Sequence, residues 1–190
     1  LNGLFAAAQG EGFQSEGISA CVKHFAAYGA PEAGRDYNSV DMSERMLRQN
    51  YLPAYKAALD AGAKMVMTSF NSLNGIPAAA NKKLVKGILR DEWGFDGVVI
   101  SDYFAFRELM RHGVAENEKE CAYKAISATN DIEMMSATYI HSMKELIEEG
   151  RVTEKQIDDS VRRVLTLKKD LGILDQPYLN CGKTQEESDN

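Results

Sequence analysis

The sequence is short of several things, and each shortage removes a class of protein. Cysteine is scarce: Cys21, Cys121 and Cys181 are the only three. Their odd number and wide spacing exclude a disulfide framework, and none has the close Cys or His partner that a zinc site needs. No metal is therefore expected. No apolar run approaches the roughly 20 residues needed to cross a bilayer as a helix, so no membrane partner is expected. Basic residues are outnumbered, 22 Lys and Arg against 28 Asp and Glu, for a net charge of −6. A dedicated nucleic-acid binder needs a basic face, and nucleic acid is not an expected partner. Leu1 to Gly10 has neither an initiating Met nor a basic region. It does not read as a signal peptide and suggests a processed chain or a fragment. No strand candidate is followed by Gly-x-Gly-x-x-Gly or by a phosphate loop, and no cofactor is expected.

The composition that remains is ordinary. Hydrophobic residues make up 44% and charged residues 26%, which excludes disorder, collagen-like repeats and a coiled coil as whole-chain readings. A length of 190 residues fits one domain. Short apolar runs alternate with longer helical patterns. Strands are expected at Ile18–Phe25, Lys64–Phe70, Gly97–Ser101 and Asp131–Met134. The Val98-Val99-Ile100 centre of the third has the continuous apolar character of a buried parallel strand. Helices are expected over about Ser43–Asp60, Lys82–Glu92, Asn117–Ser127, Thr138–Glu149 and Thr153–Leu171. Asp41 with Glu44 suggests a capping box at the first of these, and Thr153 with Gln156 at the last. The tail after Pro177 is polar and expected to be loose. Serial strand–helix units of this kind form a parallel sheet, doubly wound or closed as a barrel.

Each strand candidate turns polar at its C-terminal end. The first ends in Lys23-His24, the second in Thr68-Ser69-Phe70-Asn71, the third in Ser101-Asp102-Tyr103, and the fourth carries Asp131 and Glu133. In parallel α/β folds ligands bind at the carboxyl ends of the strands, so four such ends mark a candidate active site. Two costly polar groups closing an apolar strand favour a functional Lys23-His24 over a satisfied core histidine. Asp102, closing the most apolar strand, must be paired or used. Met67 and Phe70 read as core on periodicity alone. Arg35-Asp36 in the loop reads as an exposed local ion pair. His112 and His141 read as surface residues.

The run Val22-Lys23-His24-Phe25-Ala26-Ala27-Tyr28-Gly29 resembles the lysine–histidine strand of glycoside hydrolase family 3. The resemblance continues through Gly34-Arg35-Asp36-Tyr37-Asn38, Asp41 to Arg45 and Met67 to Pro77. Trp93 to Asp102 resembles the family's nucleophile segment, and Arg162 to Asp175 its closing helix. Residues 10 to 180 are covered, and the look is nearest to the bacterial periplasmic β-glucosidases. The resemblance implies a TIM-type (β/α)8 barrel, of which this chain supplies roughly the last four strand–helix units. Residues 1–174 would form this half of the barrel and residues 175–190 a linker towards a second domain. It implies a retaining glycosidase acting on terminal β-D-glycosides, with a small-molecule or oligosaccharide substrate. Asp102 would be the nucleophile, Lys23, His24 and Arg35 would bind sugar hydroxyls, and Met67, Phe70 and Tyr103 would line the sugar site. The acid/base Glu would lie in a following domain, and the fragment alone would be inactive. A periplasmic or secreted location is implied in the same way.

Departures from the family pattern are Phe70 where Tyr is frequent, Tyr103 where Trp or His is frequent, and Thr129 where Gly is usual. The loop after Tyr28 lacks the second histidine of the N-acetylglucosaminidase branch. Three other readings compete. One is a β-xylosidase or arabinofuranosidase of the same family. The second is a Schiff-base aldolase barrel with Lys23 as the amine nucleophile, which leaves the other motifs unused. The third is a non-catalytic carbohydrate-binding half-barrel, whose homodimer would close eight strands.

Overall fold

The structure, a computed structural model, describes residues 1–178. Three strands, β1 (Cys21–Phe25), β2 (Met65–Thr68) and β5 (Val98–Ile100), form a parallel sheet in the order β1-β2-β5. Ile132 adds a fourth position through a parallel bridge to Ile100. Each strand therefore joins on the same side as its predecessor. That serial order, without the reversal of a doubly wound sheet, is the barrel pattern.

The fourth strand is shorter than the sequence suggests, for a visible reason. The Val99 carbonyl accepts from both Asp131 N and Ile132 N, at 2.8 and 3.1 Å. The Val99 N–H is taken by the Asp131 side chain at 2.8 Å. A carboxylate thus stands in for a backbone partner, and the ladder is reduced to one bridge.

Helices cover the outer face. Helix α2 (Glu44–Met46) widens through a π-helical turn, Leu47–Tyr51, and continues as α3 (Leu52–Asp60). Ser43, and not Asp41, caps α2 by accepting the Met46 N–H at 3.2 Å. The next helical segment, Lys83–Glu92, is also π-helical. It packs Leu84, Val85, Ile88 and Leu89 with Phe25, Val66 and Val99 of the sheet into the main core. Truncating one of these leucines costs about 2–5 kcal/mol in a typical core. Gly97 lets β5 approach β2, because a Cβ there would collide with the Lys64 carbonyl oxygen and the Phe95 ring.

Helices α5 (Glu118–Ser127) and α6 (Thr138–Glu148) follow, then α7 (Glu154–Asp170), with the expected Thr153–Gln156 capping box. Two helices were not expected. One is α1 (Asn2–Ser15), which packs so closely on α3 that a Cβ at Gly3 would meet Ala57 at 3.1 Å. The other is α4 (Ala105–Arg111), which follows Asp102. A small hairpin of β3 (Ser72–Leu73) and β4 (Ile76–Pro77) occupies the loop after β2. Cys21 and Cys121 are free thiols. Cys181 and the tail beyond Tyr178 lie outside the described residues.

Candidate active site

The carboxyl ends of β1, β2 and β5 converge on one edge, and two of the expected residues meet there. His24 Nε2 lies 3.5 Å from Asp102 Oδ2, with side chains 27% and 13% exposed. The other Asp102 oxygen accepts the Tyr103 N–H at 2.7 Å. Buried Ser101 holds this turn in place. Its hydroxyl donates to the Asp102 carbonyl at 2.9 Å and accepts the Met134 N–H at 2.9 Å. Phe104, in a left-handed conformation, donates its N–H to the Met134 carbonyl at 3.0 Å and starts α4.

His24 is fixed from behind and from the side. The Tyr55 hydroxyl of α3 donates to the His24 carbonyl at 2.6 Å. The Tyr28 ring stands edge-on to the imidazole, centroids 5.1 Å apart. Burial pushes the His24 pKa below its ordinary value, against the opposing pull of Asp102. The imidazole is therefore neutral at neutral pH, a donor at one nitrogen and an acceptor at the other.

The end of β2 is zipped to the end of β1. The Ser69 N–H donates to the Phe25 carbonyl at 2.8 Å. The Ser69 hydroxyl and the Asn71 amide reach the Ala26 carbonyl at 3.3 and 3.4 Å. These polar residues hold the backbone bend after His24. Phe70 between them is half-buried, tilted against Tyr28 and Tyr37 at 6.3 and 4.4 Å.

The remaining candidates are placed more loosely. Met67 is half-buried in β2, in register with Ile100. Tyr103 is exposed and stacks edge-on to Phe104 at 4.6 Å. Lys23 and Arg35 are exposed, and neither makes an ion pair among the described residues. The local Arg35–Asp36 pair does not form. Asp36 instead accepts the Tyr28 hydroxyl and the Tyr37 N–H.

The two carboxylates of the fourth strand are committed elsewhere. Asp131, its side chain 0% exposed, meets Arg90 and Arg163 at 2.7 Å each. Glu133 accepts from Thr138 N, Thr138 Oγ1 and Tyr139 N at 2.9, 2.7 and 2.8 Å, which caps α6. The sequence offers no sign that Tyr28 pairs with Asp36 or that Tyr55 reaches His24. Their partners lie 8 to 31 residues away, and no local pattern announces such contacts. No group of three or more His, Cys, Asp or Glu side chains among the described residues is placed to hold a metal ion. No helix of these residues is long and apolar enough to cross a membrane.

Fold and site together define an α/β domain of barrel type, with a histidine–aspartate pair at its ligand edge. The model of the glycosyl hydrolase family 3 N-terminal domain matches residues 3–167. A periplasmic β-glucosidase of Salmonella typhimurium is 45% identical over 170 residues, 90% of this chain and 22% of that protein. A putative β-xylosidase of Formosa agariphila is 35% identical over 171 residues, 89% of this chain and 23% of that protein. The crystal structure of a β-glucosidase from Listeria innocua in complex with glucose superposes with a TM-score of 0.92 at 50% identity. That match covers 94% of this chain and 26% of that one. The chain belongs to glycosyl hydrolase family 3. It spans about a quarter of the length of these relatives.

Proposed function

We propose that the chain carries the nucleophile side of a retaining, β-glucosidase-like active site. The observation that carries this reading is Asp102 facing His24 at 3.5 Å on the carboxyl edge of a parallel sheet. In the first step an Asp102 oxygen forms a bond to the anomeric carbon as the glycosidic C–O bond breaks. The leaving oxygen takes a proton from the acid/base Glu. In the second step water gives a proton to that Glu and attacks the anomeric carbon, which frees Asp102. His24, Lys23 and Arg35 hydrogen-bond the sugar hydroxyls, while Met67, Phe70 and Tyr103 line the sugar's apolar faces.

The acid/base Glu lies outside this chain, a reading supported by the commitment of Asp131 and Glu133 to structural partners. Residues 1–174 form the second half of the barrel and residues 175–190 lead to a further domain. Four strand positions, unpaired at both outer edges among the described residues, support this, since a full barrel has eight. An apolar groove of about 720 Å³ between Ile132, α6 and α7 gives the first half of the barrel a seat. The 190 residues alone are inactive, and the location is periplasmic or secreted, as the name of the Salmonella relative suggests.

The test uses the complete enzyme that carries this chain and a 2-deoxy-2-fluoro-β-glucoside with a good leaving group. Peptide mapping should find the trapped sugar on Asp102, and Asp102→Ala should abolish turnover. Labelling of another residue would sink the assignment. β-Xyloside hydrolysis is the second reading, favoured by β-xylosidases at 35% and 37% identity. Matched nitrophenyl glucoside and xyloside decide between the two.

A further inference from the structure

Outward from the His24–Asp102 pair, the loop after β1 builds a second layer. Tyr28, edge-on to His24, gives its hydroxyl proton to Asp36 Oδ1. The same oxygen accepts the Tyr37 N–H at 2.9 Å. Tyr37 sits at φ 63°, a left-handed conformation unusual for a bulky side chain. Such conformations persist where the surroundings over-determine them, and they cluster at functional sites. Here the consequence is visible. One face of the Tyr37 ring rests on Phe70, with centroids 4.4 Å apart and planes at 43°, while 43% of the residue stays open to solvent.

The loop does not need that ring for its own closure. The Glu32 N–H bonds the Ser39 carbonyl at 3.0 Å, and the Asn38 amide bonds the Glu32 carbonyl at 3.1 Å. An aromatic ring held on a fixed backbone, tilted against another ring and 43% exposed, can serve as a wall for a flat apolar surface. Burial, with the carboxylates of Glu108, Asp36 and Asp102, pushes the Tyr37 phenol pKa up. The ring therefore stays uncharged at working pH.

We propose that Tyr37 is a specificity-determining residue that stacks on the leaving group of the β-glycoside. The inference rests on the glycosidase reading above. The sugar being cleaved occupies the inner position against His24 and Asp102. The leaving group, a second pyranose or an aryl ring, lies against the exposed Tyr37 ring. A pyranose and an aryl ring share the chemistry that matters, a flat face of C–H or π character; a methyl leaving group lacks it.

The experiment measures kcat/KM of the complete enzyme for 4-nitrophenyl β-D-glucoside, a β-linked glucose disaccharide and methyl β-D-glucoside. Tyr37→Gly is the main variant, because glycine accepts the left-handed backbone while removing the whole side chain. Tyr37→Gly should lower kcat/KM about tenfold for the two ring-bearing leaving groups, chiefly through KM, and leave the methyl glycoside within about twofold. Tyr37→Phe keeps the stacking face and should stay within about twofold on all three substrates. An equal loss on all three in Tyr37→Gly would show that Tyr37 acts through the loop bearing Arg35 and would overturn the inference. So would no loss on any of them. A wild-type enzyme that turns over none of the three would sink the glycosidase reading itself, and this inference with it.

Discussion

Tyr55 gives its phenolic proton to the backbone carbonyl of His24 at 2.6 Å. A helix that never reaches the ligand edge thereby sets the position of the residue that does. Tyr55 also packs edge-on to Phe25 at 5.3 Å, so the contact is both polar and apolar. Tyr55→Phe keeps the ring and deletes the donor, leaving a partly buried carbonyl without that partner. The expected cost is about 1–3 kcal/mol of stability, read as a lower denaturant midpoint at unchanged slope. A midpoint equal to wild type would show that the carbonyl finds another donor.

The Arg90–Asp131–Arg163 cluster joins three segments beneath the sheet. Arg90 is 9% exposed at its side chain and also donates to the carbonyls of Phe95 and Thr129, at 3.0 and 3.3 Å. Burial pulls its pKa down, against the pull of Asp131. Removing Asp131 leaves a buried guanidinium without its counter-charge and frees the Val99 N–H. Asp131→Ala should cost about 3–5 kcal/mol, measured by equilibrium unfolding. A loss below about 1 kcal/mol, the scale of surface pairs, would show that water reaches Arg90 freely.

The strands were readable because buried parallel strands write themselves as continuous apolar runs, as at Val98-Val99-Ile100. The helices from α5 onward were readable from cap residues and glycine stops. Helix α1 was not. It starts without a side-chain cap, and its Leu4, Phe5 and Phe13 face solvent, so no apolar stripe marks a buried side. Helix α4 was hidden for a related reason: its cap position is Phe104 in a left-handed conformation, with no capping side chain. At the site, the polar strand ends could be read, and they lead to His24 and Asp102. The supporting layer of Tyr28, Asp36 and Tyr55 depends on where the loop and α3 fold back, which one strand's pattern does not encode.

The titration of His24 tests the pair directly. Its pKa lies below the ordinary value, with burial the main cause; Asp102 and Asp36 pull it up and Lys23 pushes it down. Folding therefore weakens proton binding at this site. The stability it costs is absent well above the ordinary imidazole pKa of about 6.5. The loss grows as pH falls through that value and is complete below the folded pKa. Asp102→Asn removes the strongest upward pull, so the His24 resonances should titrate at a lower pH than in wild type. An upward shift in an NMR titration would contradict the placement of Asp102 beside His24.

Glu133 offers the sharpest separation between a structural and a chemical carboxylate. It sits on the fourth strand, where a second catalytic carboxylate would be sought, yet its two oxygens accept three hydrogen bonds from Thr138 and Tyr139 at the start of α6. A carboxylate engaged in this way stabilises the helix N-terminus through its charge and its acceptors. Glu133→Ala should lower stability by about 1–2 kcal/mol and leave turnover of an activated aryl glycoside within about threefold, the size of an indirect packing effect. An acid/base residue behaves differently. Its loss slows the second step severely even with an activated leaving group, and added azide restores turnover by replacing the water that the base would have activated. Azide rescue of Glu133→Ala at unchanged stability would assign the proton donor to this chain.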